Sequence, residues 1–497
     1  MGHLRISLRM EAAMVKKRTK GRAAKPTARQ RVISRLAEEV RLEVQRRLPP
    51  NSTFEQRNDM SAQVMQEVLF KQSDDDLQAM IAKEEEAMVE DDEGPYRRLA
   101  QPSSATYRGR WGEHFVTEPL YRKVGVHNGE TIKPIELRAG IVEHMTPDMA
   151  RICGELSAFD SSRELERTLR ATGLSAPSRS FLAKRMANMT GEIEKDAARL
   201  EEVARACESV PTQIGSVSCG LDRMSVRMSE PASAATIAAR RPRTEPYERA
   251  APPAKEHHYR KAWVGSMTIY DRDGNELRTI RYATEAAADQ NALADRVAAD
   301  VLSIVRAHPL VRLHCVQDAA PELRAMPEAL ARVVPTGVDV VELVDLHHLM
   351  GYLEPLVDAT EPDGDPHDWK GWYRSELLRD DGAIDRIWTK LRRLGRTLPG
   401  KHTKARTAVA DALSYIRPRK DKMRYASHYA AKLPIGSGAT ESTCWQMQVR
   451  VKRAGQSWES PGLRGVLGVR GLVLSDRWPS AWPAYAATHR RELRCVA

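Results

Sequence analysis

The chain has 497 residues, room for about three structural units at roughly 100 to 200 residues each, so a small scaffold stapled by disulfides or metal is excluded. Hydrophobic residues make up 41% and charged residues 29%. No apolar run approaches the roughly 18 residues of a membrane span, so a soluble protein with no membrane partner is expected. The net charge of +11 is unevenly spread: residues 1–30 carry nine Lys/Arg against one acid, residues 71–93 ten acids against two lysines, and residues 401–497 eighteen Lys/Arg against six acids. A basic C-terminal region attracts polyphosphate through counterion release, although an ordinary solvated basic face has the same composition.

Residues 1–30 read as a disordered basic arm, because they combine high charge with no sustained periodicity. The first fifteen, interrupted by Arg5, Arg9 and Glu11, lack the apolar segment of a secretory signal, so a cytoplasmic protein is expected. Over 31–99 the spacing of Val32, Ile33, Leu36, Val40 and Val44 predicts a helix. A short apolar helix follows around Val64 to Phe70, and an acidic stretch ends the unit. Residues 100–210 should contain a β-hairpin turning at Asn128-Gly129 and then three helices over 147–190. The last two of these have the layout of a helix-turn-helix, with Arg179, Lys184 and Arg185 on the second. A helical hairpin with solvated basic residues is the other reading of that spacing.

From Ser216 the period changes to that of strands. SVSCGLDRMSVRM, HYRKAWVGSMTIY and NELRTIRYA give three, the last two joined at Asp273-Gly274; an irregular loop is expected over 229–256. A helix with Leu293, Val297 and Val301 on one face, the strand VRLHCVQ, a Pro-started helix and the strand VDVVELVD complete a β-β-β-α-β-α-β order. Residues 211–351 are thus expected to form an α/β unit, a mixed sheet covered by helices. Asp222 lies on its first strand, Asp318 at the end of its fourth, and Glu441 opens a late helix after GSGAT. The first and fourth strands are neighbours in such an order, and ligands gather at strand ends. Convergent carboxylates there suit hard divalent cations, and two ions about 3.5 to 4 Å apart can serve phosphodiester chemistry.

GLDRMSVRM, CVQDAAPEL, VDLHHLMGYL and above all IGSGATES with RVKRAGQSW and VLGVRGLVLSDRW resemble the Asp-Asp-Glu transposases of bacterial insertion sequences, the Kra-type group related to Mutator-like elements. The resemblance covers about residues 100–485. It implies a ribonuclease H-like mixed sheet with a helical insertion, preceded by a mainly helical N-terminal DNA-binding region. It also implies a catalytic and metal-binding triad of Asp222, Asp318 and Glu441, which are 96 and 123 residues apart. The second gap is too long for one strand and one helix, so the insertion should occupy about 352–432, with 433–497 completing the core and its basic tail. The implied cofactor is Mg²⁺ or Mn²⁺, two ions; residues 100–145 contain no cysteine and the six cysteines form no CxxC pair, so no zinc is expected. The implied partners are element-end and target DNA, bound by a homodimer or higher oligomer associated with the nucleoid. Asp345 and His348 form a D-x-x-H pattern similar to one in such enzymes, which makes His348 a helper that orients the scissile phosphate or a water. Its alternative is a histidine that packs against or caps the following helix.

On the helix of Glu441, a rotation of 100° per residue puts Glu441, Trp445, Gln448 and Lys452 on one face and Cys444, Met447 and Val451 on an apolar stripe. The polar face, followed by Arg450 and Arg453, is expected to contact DNA, and Gly436 and Gly438 to permit the tight approach of Glu441. The function these readings imply is metal-dependent DNA cleavage and strand transfer of an insertion sequence. A DNA-binding protein or a nuclease of the same fold without strand transfer is the alternative.

Overall fold

A computed structural model of the protein describes residues 27–82, 86–239, 254–285, 288–318, 320–360, 366–399 and 403–496. The expected basic arm lies almost wholly outside the described residues. The chain divides into two units, residues 1–79 and 80–497.

The first unit is built on α1 (Ala28–Arg47) and α2 (Phe54–Ala82). Thr27 and Gln30 form a capping box at the start of α1, and Thr53 and Gln56 exchange the same pair of bonds before α2. The short apolar helix expected at 64–70 is therefore 29 residues long and runs into the acidic stretch. Its acids are tolerated inside a helix partly through i,i+4 pairing such as Lys71 with Asp75. Val44, Val64 and Leu77 are buried, and Arg47 forks onto both Glu67 oxygens at 2.8 Å.

The second unit starts with β1 (Met88–Asp91), β2 (Gly94–Arg98), β3 (Ser103–Arg108), β4 (Glu113–Glu118), β5 (Tyr121–Lys123) and β6 (Thr131–Ile132), then α3 (Pro134–Ala139). The expected hairpin exists as β5 and β6, with Asn128 at φ 55° in its turn. Its second arm stops after two residues, because Pro134 supplies no N–H to a ladder and starts α3 instead. The helices α4 (Pro147–Ser157), α5 (Ser162–Ala171), α6 (Arg179–Lys195) and α7 (Ala197–Cys207) follow, α7 being separated from α6 at Asp196.

Next come β7 (Ile214–Pro231), α8 (Ala234–Ala239), β8 (Lys255–Asp271), β9 (Glu276–Thr284), α9 (Gln290–Ala307), β10 (Arg312–Gln317), α10 (Ala325–Val333) and β11 (Val340–Val344). This is the expected β-β-β-α-β-α-β order, and the fold is mixed α/β. The sheet runs β11-β10-β7-β8-β9, with β7, β8 and β9 antiparallel and β10 and β11 parallel to β7. The loop expected at 229–256 is shorter than thought: β7 and β8 pair as far as Pro231 and Lys255, and 240–253 lie outside the described residues.

Strand alternation then sorts β7. Val217, Cys219 and Leu221 face α9 and α10 in one core, while Met224, Val226 and Met228 face the opposite way. The helices α11 (Leu346–Thr360), α12 (Pro366–Arg379), α13 (Ala383–Thr397), α14 (Thr403–Ile416) and α15 (Tyr425–Ala430) build a second core against Val316, Leu343 and Val344 at the edge of the sheet. The last elements are α16 (Gly438–Val451), α17 (Ser460–Leu474), α18 (Trp478–Ala487) and β12 (Arg494–Cys495), which pairs with β1.

The core of the helices 147–207 is shared with these C-terminal helices: Leu165, Leu169, Leu182 and Met189 pack with Val469, Leu472, Trp478 and Trp482. A Cβ on Gly465 would stand 2.6 Å from Thr190 Oγ1, so only glycine lets α17 lie this close to α6. One buried ionic cluster locks the arrangement. Arg477, 1% exposed, donates to both Asp300 oxygens and both Glu208 oxygens, and Arg205 also holds Asp300. Among the described residues no helix is long and apolar enough to cross a membrane.

Arg477→Met keeps the bulk but leaves Asp300 with Arg205 and Glu208 with Arg278 as their remaining cations, so denaturation should show a loss of about 3 kcal/mol. His314 gives a second test. It is buried on β10, and burial first, then His428, holds its imidazole down to about 4, below the usual value of about 6.5. Between those values the unfolded chain binds a proton that the folded chain refuses, so this stability is complete above about pH 6.5 and is lost as pH falls to 4. Wild type should lose up to about 3 kcal/mol more than His314→Phe over that range.

Candidate active site

Parallel pairing sets the end of the sheet at which the acids lie. Cys315 is paired with Cys219, the last pair of that ladder, and Asp318 and Asp222 each follow three residues later. Gln317 is paired with Val344, and Asp318 and Asp345 each follow one residue later; the Asp345 N–H donates to Gln317 O at 3.2 Å. Asp222, Asp318 and Asp345 thus lie toward the same end of β7, β10 and β11, with Asp318 and Asp345 one residue past their strands. Asp222 falls on the side of β7 that faces α16, in step with Met224 and Val226.

The close approach occurs at Gly220. A Cβ there would meet Val316 O at 2.6 Å and Thr440 Oγ1 at 3.0 Å, so β7, β10 and α16 can meet only over a bare backbone. Leu221 N–H donates to Gln317 Oε1 at 3.2 Å, Gln317 Nε2 to Leu323 O at 2.8 Å, and Thr440 shares a hydrogen bond of 2.7 Å with Ser266. Each of these contacts is made next to an acid of the expected triad. Gly436 and Gly438 do not have the role expected of them: neither has positive φ, and a Cβ on Gly438 would meet nothing within 4 Å.

Asp345 is 0% exposed and fully occupied. Ser437 N–H and Oγ both donate to Oδ2, the hydroxyl at 2.6 Å, and His348 N–H donates to Oδ1 at 2.9 Å. Burial by itself would raise this carboxyl; His348 and Ser437 overcome it and hold Asp345 well below the usual carboxylate range. Ser437 Oγ is also 3.0 Å from Glu441 Oε1, so one hydroxyl bridges Asp345 and α16. The His348 ring lies among three carboxylates: Nε2 is 3.9 Å from Asp318, and Nδ1 is 3.6 Å from Asp345 and 4.0 Å from Glu441. Asp345 foremost, then Asp318 and Glu441, raise the imidazole to about 9 against the effect of burial.

Asp345, His348 and Glu441 each offer a ligand atom within 4.8 Å of one another. Asp345 already accepts three hydrogen bonds, which leaves Asp318 and Glu441, about a third and a half exposed, as open carboxylates beside partly exposed Asp222. Among the described residues the expected triad of Asp222, Asp318 and Glu441 is not brought within that 4.8 Å span, although its oxygen donors are of the kind a hard divalent cation takes. Asp222 reaches α16 by another contact: Cys444 Sγ donates to its Oδ2 at 3.1 Å, one turn beyond Glu441. Sequence reasoning missed Gly220, Gln317, Ser437 and Cys444. Only a glycine two residues before an aspartate could have signalled the first, because the other contacts are made between distant segments.

The residues expected to meet DNA divide into two sets. Trp445, 67% exposed, Lys452 and half-buried Gln448 lie on the open face of α16 with Glu441, and Cys444, Met447 and Val451 are buried behind them. Arg450 is a correction, since it is buried. Its Nε donates to Ser157 O at 3.1 Å, its guanidinium lies 5.0 Å from the Trp458 ring centroid, and burial lowers its pKa to about 10. Arg453 donates to Phe159 O at 2.6 Å and pairs with Glu164; Arg470 donates to Ala158 O at 2.5 Å. Three arginines therefore satisfy the carbonyls that α4 leaves at its C-terminus, where cations are favoured. On α6, Arg179 and Lys184 are exposed, while Arg185 is partly buried and bonded to Glu143 at 3.0 Å. Leu165, Leu169 and Leu182 are buried and Phe181 partly so.

The chain matches no protein-family model, no curated protein and no solved structure.

Gly220→Val should destabilise the chain by about 1–3 kcal/mol through overpacking and separate β7 from α16, so a thermal melt and any metal-dependent activity should fall together. Arg450→Ala should lower the melting temperature and leave the salt slope of nucleic-acid binding unaltered. Lys452→Ala should do the reverse, reducing that slope by about one unit if it meets one phosphate.

Proposed function

We propose that the chain is a DNA transposase of the Asp-Asp-Glu type, which cuts a strand at the end of an insertion sequence and joins the freed 3′-hydroxyl to target DNA. On this reading the five-stranded sheet is ribonuclease H-like, 352–432 are its helical insertion, and the helices before it serve DNA binding. What supports the proposal is that parallel β7 and β10 lead Asp222 and Asp318 to the same end of the sheet, where Cys444 of α16 bonds Asp222 and His348 lies 3.9 Å from Asp318 and 4.0 Å from Glu441.

Asp222, Asp318 and Glu441 would hold Mg²⁺ or Mn²⁺, as two ions, which when bound activate an attacking oxygen and stabilise a leaving one. The chain's own residues do the rest. Cys444 holds Asp222 in place through a hydrogen bond, and the Ser437 hydroxyl, with one proton between Asp345 and Glu441, ties α16 to the sheet edge. His348 stands among three carboxylates, where a ring N–H can donate to a phosphate oxygen. Trp445, Gln448 and Lys452 extend the face of Glu441 along the DNA, and Arg179 and Lys184 are the outward groups available to read element ends. Such an enzyme acts on DNA as a homodimer or higher oligomer in the bacterial cytoplasm, at the nucleoid.

The test incubates purified protein, Mg²⁺ and the DNA flanking its gene, and looks for joined products. Wild type should nick and join, whereas Asp222→Ala, Asp318→Ala and Glu441→Ala should each abolish both with DNA affinity nearly unchanged. Full cleavage by Asp318→Ala would rule out the triad. Cleavage without joined products would instead support a nuclease of the same fold.

A further inference from the structure

Tyr352 lies four residues after His348 on α11, on the same face of the helix. Its ring is stacked on that of Tyr415 from α14, centroids 4.0 Å apart and planes 16° from parallel. The Arg419 guanidinium lies 4.6 Å from the Tyr415 centroid. The two rings differ in their access to solvent, Tyr352 being 38% exposed and Tyr415 only 7%. Leu349, Leu353 and Leu356 supply the side of α11 that packs into the core, so Tyr352 is not needed to fill it.

The stack stands beside the second acid. His348, one turn away, is 3.9 Å from Asp318, and burial followed by the Asp318 carboxylate pushes the Tyr415 phenol up. The Tyr415 hydroxyl has no hydrogen-bond partner among the described residues, although the side chain is more than nine-tenths buried. A partly exposed ring backed by a second ring, with a guanidinium against that second ring and carboxylates one helical turn away, is the chemistry that takes a nucleobase.

We propose that Tyr352, backed by Tyr415, is a stacking platform for an unpaired DNA base beside the cleavage site. This rests on the reading of the site as one that handles DNA. Stacking on an aromatic side chain is worth about 1–3 kcal/mol per base and tolerates any sequence, so the platform requires the strand to be locally unpaired and sets no sequence preference of its own.

The test measures binding by the full chain, without divalent metal and at one fixed salt concentration, of oligothymidylate about 16 nucleotides long and of an abasic strand of equal length and charge. Wild type should prefer the base-bearing strand by about tenfold, Tyr352→Trp should keep that preference, and Tyr352→Leu, which retains bulk without a π-face, should bring it to within about twofold. The abasic strand should bind all three proteins alike. A Tyr352→Leu protein that keeps the preference, or a wild type that has none, overturns the proposal. Metal-dependent cleavage, assayed on the same preparations, separates the two ideas. Cleavage without any base preference removes the platform and leaves the transposase reading standing. A preference lost in Tyr352→Leu, from a protein that never cleaves DNA, leaves the platform and removes the transposase reading.

Discussion

Asp222, Asp318 and Asp345 come from segments far apart in the chain, and the parallel pairing of β7, β10 and β11 is what brings them to the same end of the sheet. A slip of one residue in either pairing would turn an aspartate to the face that holds the α9 core, where an unpaired charge is costly. The same register sets Gly220 against Val316 and opens the space that α16 enters. The geometry of the site is thus a consequence of strand pairing, and the loops around it only fill it in.

Electrostatics at the site divide the acids by use. Asp345 gives its oxygens to Ser437 and His348 and works as an internal anchor, while Asp318 and Glu441 stay open to solvent. Cys444 is a neutral donor to Asp222, a choice that orients a carboxylate without cancelling the charge a cation would need. Charge elsewhere is spent on assembly. Arg450, Arg453 and Arg470 cap the end of α4, and Arg477 pins α18 to α7 and α9. Much of the basic C-terminal region is therefore turned inward, and the positive surface left for a phosphate backbone is smaller than the composition implies.

The order of elements from Ser216 to Val344 was legible because each carries its own period: alternation in β7, a three-to-four spacing along α9, an Asp-Gly turn at 273–274. Glu441, Trp445, Gln448 and Lys452 were legible as one face for the same reason, since 3.6 residues per turn is a local property. Arg450 was misread because the only clue was its charge; whether an arginine meets water or a helix end depends on what lies opposite, here Ser157, almost three hundred positions earlier. Arg453 and Gly438 were misread similarly.

Between Ser216 and Val344 local pattern by itself determined which stretches are strands and helices, and that separated acids could meet at the end of a sheet, whereas the strands between Met88 and Glu118 were not read from it. Tertiary structure alone decided which acids meet, which acid is buried and which open, and that Tyr352 and Tyr415 stack beside Asp318. The physical reason is range: backbone conformation and amphipathic period are written over a few neighbouring residues, whereas register, desolvation and hydrogen-bond partners depend on segments brought together only when the chain packs.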